Sequence, residues 1–201
     1  MLKSHKNVVK VVIFAVLLLA SFGLASADEV TDSINEGLQQ YKKGEYAAAA
    51  GNLDYASQLI RQKRGEQLKT FLPKPLAGWK AKESTSQAVG AAMFGGGVSA
   101  ERKYHKESSS VTVKIVTDSP LLQSMMVMFT NPMFAASSGG KLEKVNGQKA
   151  IVKYSSINKS GEINIVVVNR FLITIEGNDV TKKELRNYAD SINYKKLAAF
   201  L

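Results

Sequence analysis

The apolar pattern of this chain changes its period once, and that change limits the architectures open to it. From Val30 to Arg64 apolar residues recur three or four positions apart; after Trp79 they recur every second position. The first spacing marks helices with one buried stripe, the second marks strands with one buried face. Val30, Ile34, Leu38 and Tyr41 form one helical stripe. Tyr46, Ala49, Leu53, Ala56 and Leu59 or Ile60 form another. Gly44, within Lys42-Lys43-Gly44-Glu45, suits the end of the first helix, since glycine tolerates the left-handed conformation found there. The reading is an antiparallel helix hairpin. Leu68, Phe71 and Leu72 predict a further short helix, stopped by Pro73 and Pro75. The helical part is thus expected over 28–72 and a sheet domain over 73–201.

Within the sheet part, Val98 to Tyr104 and Val111 to Ile115 alternate as two strands. Lys141 to Val145 and Lys149 to Ser156 flank Asn146-Gly147, a strong hairpin signal. Glu162 to Val168 and Phe171 to Glu176 form another pair, joined at Asn169-Arg170, with Gly177-Asn178 closing the last strand. Apolar residues on both faces of Ile163 to Val168 predict central strands covered on each side. One helix is expected from Ser119-Pro120 onward, with serine as cap and proline at the first turn. A final helix is expected from Thr181, where Glu184 completes a capping box, with Leu185, Tyr188, Ala189 and Ile192 facing inward. The apolar tail from Leu197 should dock. Together these give an α+β fold: an antiparallel sheet of six or seven strands with helices packed on it, preceded by an α-helical hairpin.

The first 27 residues read as an address. Lys3, Lys6 and Lys10 precede an unbroken apolar run from Val11 to Ala20, and Ala25-Ser26-Ala27 is a small-residue cleavage signal. This is the pattern of a cleaved secretory leader, and its run is shorter than a spanning helix needs. A mature chain starting at Asp28 and located in the periplasm, or else outside the cell, is expected, with no membrane span after cleavage. It would carry 24 basic against 17 acidic residues. That balance points to an envelope protein partner, or to anionic lipid or glycan, ahead of nucleic acid. The absence of cysteine excludes disulfides, thiolate metal sites and thiol nucleophiles. After cleavage His105 is the lone histidine, which excludes multi-histidine metal sites. No metal or cofactor is expected.

Gly37, Gly44, Tyr46, Ala49, Leu53 and Ala56 together resemble one tetratricopeptide repeat, over about residues 30–62. Gln40 stands where that family usually has an aromatic, and Arg61 where it favours proline. The element order after Pro73, the lead-in LPKPLAGWKA, the Asn-Gly hairpin and the closing helix resemble the PsbP-like fold of exported proteins, over about residues 73–197. These resemblances imply a binding or scaffolding role and transfer no catalytic residues.

Three residue groups are candidates for contact with other molecules. Tyr41, Tyr46 and Tyr55 could present a protein-docking face on the hairpin. Arg61, Lys63, Arg64 and Lys69 could bind a polyanion, although cations near a helix end also suit its dipole. Met93 and Phe94 of the glycine-rich loop, with Met125 and Phe129, could line a pocket for a small apolar ligand. The competing reading of Leu122, Met125, Met126, Phe129 and Met133 is one buried helix face, because methionine fills irregular cores. A hydrolase built on His105 lacks a recognisable nucleophile elbow. The chain reads best as an exported, non-enzymatic interaction or scaffold protein, with an apolar-ligand binder as the alternative.

Overall fold

The computed structural model describes residues 28–88 and 97–200; the expected leader, Met93, Phe94 and Leu201 lie outside the described residues. The chain divides into two compact units, the first ending at Ser57 and the second running from Gln58 to Leu201. No described helix is long and apolar enough to cross a membrane.

The first unit is an antiparallel helix hairpin. It holds α1 (Glu29–Lys43) and the first half of α2 (Tyr46–Lys69). Glu29 and Asp32 in the first turn of α1, and Lys42 and Lys43 in its last, complement the helix dipole. Gly44 takes a left-handed φ of 81°. Its N–H donates to the Tyr41 carbonyl at 3.0 Å, and the Glu45 N–H donates to the Gln40 carbonyl at 2.9 Å. These two bonds form a Schellman stop. Val30, Ser33 and Gly37 are the buried residues of α1. A Cβ at Gly37 would lie 3.1 Å from Leu53 Cγ and 3.3 Å from the Ala49 carbonyl oxygen, so the two helices meet closely there.

Helix α2 corrects the expected short helix at Leu68 to Leu72. It runs unbroken to Lys69 and absorbs Leu68. Gly65 does not stop it: a Cβ there would sit 3.1 Å from Ser86 Cβ, so glycine serves close packing instead. The chain then leaves through tight turns, with the Phe71 N–H donating to the Leu68 carbonyl.

In the second unit eight antiparallel strands form one sheet. They are β1 (Lys80–Ala81), β2 (Thr85–Ala88), β3 (Val98–Lys106), β4 (Ser109–Thr117), β5 (Lys141–Val145), β6 (Gln148–Ser155), β7 (Ser160–Val167) and β8 (Phe171–Asn178). Their order is β1-β3-β4-β8-β7-β6-β5, with β2 also on β3. The fold is α+β as expected. β1 and β2 are short edge segments held by pairing with β3. Asn146 (φ 47°) and Gly147 (φ 82°) make the expected hairpin turn. The β7–β8 turn is centred one residue earlier than expected. Val168 (φ 45°) and Asn169 (φ 54°) occupy it, and the Arg170 N–H closes it on the Val167 carbonyl at 3.0 Å. Gly177 lies inside β8, paired with Gly161, and does not end the strand.

One sheet face carries the main core, from Ala100 and Tyr104 through Ile115, Ile173 and Ile165 to Val152. It is covered by α5 (Lys182–Asp190) and α6 (Tyr194–Ala198). The Thr181–Glu184 capping box is present in full. Leu185, Tyr188, Ala189, Ile192 and Leu197 are buried. Phe200 stacks obliquely on Phe71 at 5.0 Å, so the tail docks. Tyr104 lies 4.6 Å from Tyr188, and Trp79 meets Tyr188 edge-on at 5.3 Å. Burial raises the Tyr188 phenol to about 12 and pushes Tyr104 higher still. Beneath α5 the glycine pair leaves a depression. A Cβ at Gly177 would lie 2.7 Å from Leu185 Cδ2, and one at Gly161 would lie 2.5 Å from the Lys153 carbonyl oxygen.

The other face is covered at one end by α3 (Pro120–Thr130) and α4 (Pro132–Ser137). Leu122, Phe129 and Ala135 pack there with Ile151, Val166 and Leu172. The methionine stripe is shorter than expected. Asn131 caps a new helix, accepting from the Met133 N–H at 3.0 Å with Pro132 at its start. Met133 is thereby 78% exposed instead of buried.

Two predictions follow from the seat of α5. Gly177→Ala should destabilise the protein by about 1–3 kcal/mol through overpacking, and Thr181→Ala by about 1 kcal/mol through loss of the cap. Urea titration should show lowered midpoints with unchanged slopes. Glu184 accepts from Lys106 Nζ at 2.5 Å, and that bond first, then the Thr181 backbone, holds its carboxyl below the usual range. A depressed carboxyl stabilises above its unfolded pKa and loses that contribution as pH falls through its folded value. Glu184→Gln should therefore lower stability at neutral pH and flatten its decline in acid, measured by thermal melts across pH 2–7.

Candidate functional site

The hairpin carries an uncovered apolar face. On α1, Ile34, Leu38 and Tyr41 stand four and three residues apart and are all exposed. On α2, Tyr46 and Leu53 stand two turns apart and are exposed as well. Tyr41 and Tyr46 join the two rows, their rings 5.6 Å apart and tilted by 60°. Leu53 lies against Gly37, so both rows belong to one face. Tyr41 and Tyr46 are 61% and 66% exposed, which places them at the tip of this face.

Tyr55 does not join them. Its hydroxyl donates to Glu29 Oε1 at 2.5 Å, and that bond raises the phenol above its ordinary range. Glu29 is twelve residues from Tyr41, about 18 Å along α1. Asn52 donates to Gln40 Oε1 at 2.9 Å. Tyr55 thus helps to fasten the two helices together.

The four cations of the expected polyanion patch are distributed among local partners. Arg64 pairs with Asp118 at 2.9 Å and Lys69 with Glu66 at 2.5 Å. Arg61 and Lys63 are engaged too. Arg170 also approaches Asp118, at 3.6 Å, which sequence reasoning did not find. Asp118 sits at φ 55° and borders a cleft of about 390 Å³ with Ser119, Gln123, Asn169 and Arg170.

Of the expected ligand pocket, Met93 and Phe94 lie outside the described residues. Phe129 is 4% exposed within the second core, and Met125 packs against that core. A larger cleft, of about 480 Å³, is polar and lies beside β6, β7 and β8. Lys153, Glu162, Glu176 and Asn178 line it. Glu162 faces Glu176 in register across β7 and β8. Buried Asn164 donates to Glu162 and accepts from the Thr174 hydroxyl at 2.8 Å. The relay fixes one carboxylate on an otherwise mobile kind of side chain. His105 is exposed on β3, opposite Lys80 and Ser110. Among the described residues, no three His, Asp or Glu side chains converge as metal ligands would.

Three features escaped sequence reasoning: the Asp118 cluster, the Asn164 relay, and an exposed apolar group of Val127, Met133 and Phe134 on α3 and α4. Only the last had a legible signal. Residues 119–140 contain no charged side chain. No protein-family model, no curated protein and no solved structure matches this chain.

Proposed function

We propose that this is an exported, non-enzymatic envelope protein whose helix hairpin docks a protein partner, the sheet unit serving as its scaffold. The carrying observation is the face formed by Ile34, Leu38, Tyr41, Tyr46 and Leu53, all exposed on adjacent helices. Apolar groups gathered in one exposed patch mark interaction surfaces, whereas single scattered ones do not. Tyrosine suits such a surface, since it offers a large rigid ring with a polar edge. The resemblance of residues 30–62 to a tetratricopeptide repeat supports the same reading, because such hairpins bury their faces against neighbours. The leader pattern of residues 1–27 supports export.

The test is capture from envelope extract with the tagged protein and with a Leu38→Glu/Tyr46→Glu variant. A specific partner should be retained by the first and lost by the second, with helical content unchanged by circular dichroism. Identical captured proteins with both would overturn the docking role. Mass spectrometry of the protein from its native host should find Asp28 as the first residue. An uncut chain in the cytoplasm would overturn export.

A further inference from the structure

We infer that the sheet unit has a second docking surface, formed by α3, α4 and the β5–β6 hairpin, and that its partner is an anionic lipid surface. The surface combines the two features interfacial binding needs: exposed apolar side chains and adjacent uncompensated cations.

The apolar part is Val127, Met133 and Phe134, at 54%, 78% and 51% exposure. They stand within the 22-residue stretch 119–140, which has no charge to keep it out of a lipid headgroup layer. Asn131 and Pro132 bring Met133 and Phe134 to the outside by breaking the helix and starting α4. Only Ala135 of α4 is buried, so the short helix turns nearly all its side chains outward.

The cationic part adjoins it. Helix α4 packs on β5, and α3 packs on β6. Leu142 and Ile151 face each other in register beneath these helices. Two residues further toward the turn, on the same face, Lys144 and Lys149 are also in register. A two-residue step along a strand is about 6.7 Å, so the lysines border the helices directly. Both are exposed, and neither has an ion-pair partner among the described residues. Like charges directly opposite each other on a sheet are unfavourable, and an anionic surface relieves that repulsion. Neighbouring Glu143 is already held by Lys182 at 2.8 Å and by Arg186 at 3.6 Å. The unit as a whole favours such a surface, with 22 basic against 11 acidic residues over 58–201.

The test is co-sedimentation of the purified protein with vesicles of phosphatidylcholine alone and with added phosphatidylglycerol. Binding should require the anionic lipid and should collapse near 1 M salt, where the screening length is about 3 Å. Lys144→Glu/Lys149→Glu should abolish it. Met133→Ser/Phe134→Ser should weaken it about tenfold, consistent with losing the burial of two large apolar side chains. Thermal melts should show each variant folded, since all four side chains are exposed. In Phe134→Trp, whose added indole reports on its surroundings, emission should shift to the blue on adding anionic vesicles. Absence of binding to anionic vesicles at low salt would overturn the inference. So would equal binding by the folded variants, or binding with no spectral shift at position 134. The hairpin face is untouched by these variants, so failure here leaves protein docking standing.

Discussion

The seat of α5 on the sheet governs the second unit. Gly161 and Gly177 face each other across β7 and β8, and Leu185 fills the space their missing side chains leave. A helix packed so closely brings Tyr188 into ring contact with both Trp79 and Tyr104. Tyr104 in turn donates to the Pro73 carbonyl at 2.6 Å, tying the lead-in segment to the sheet. The capping box fixes where the helix starts, and Glu184, shared between the cap and Lys106, fixes its direction. Glycine pairing, capping and aromatic packing therefore all bear on this one helix.

The two faces of the sheet are treated unequally. One face carries the main core under α5 and α6, with Leu68, Leu72 and Trp79 also packed into it. On the other, among the described residues, the second core lies where Ile151, Val166 and Leu172 meet α3 and α4. Beyond those residues the same strands turn polar, and β7 passes from Val166 to Asn164 to Glu162 in two steps of two. Asn164, 4% exposed, sits where the covered region ends. A buried amide is tolerable only when its hydrogen bonds are made, and Thr174 and Glu162 make them. The cleft beside Glu162 is thus an ordered part of the surface.

What the sequence showed depended on how local the cause was. The Asn146-Gly147 turn and the Thr181 cap were legible, because each is decided within four residues. The β7–β8 turn was read one residue late, since Val168 takes a positive φ that branched side chains resist. The methionine helix was read as one face because three- and four-residue spacing continues across Asn131-Pro132, although Pro132 opens a new helix. Gly65 sits inside α2 as a packing contact, which no local pattern announces. β1, with only two residues, has no periodicity to detect and exists through its pairing with β3. Of the candidate site, Tyr41 and Tyr46 were legible as members of two separate stripes read as buried, whereas their exposure and the bond tying Tyr55 to Glu29 depend on how the two helices pair.

The two uncovered apolar surfaces differ in chemistry, and the difference bears on what each can meet. The hairpin face is built from Ile34, Leu38, Leu53 and two tyrosines on long helices held by a Schellman turn, a close glycine contact and two side-chain hydrogen bonds. A surface so fixed can match the shape of one partner, and shape complementarity is what protein docking rewards. The second surface rests on a six-residue helix, unbranched methionine and paired lysines. It offers apolar reach and positive charge. A fluid anionic layer asks for those two properties. The proposed protein docking and the proposed lipid contact therefore draw on different properties of different units, and neither surface could substitute for the other.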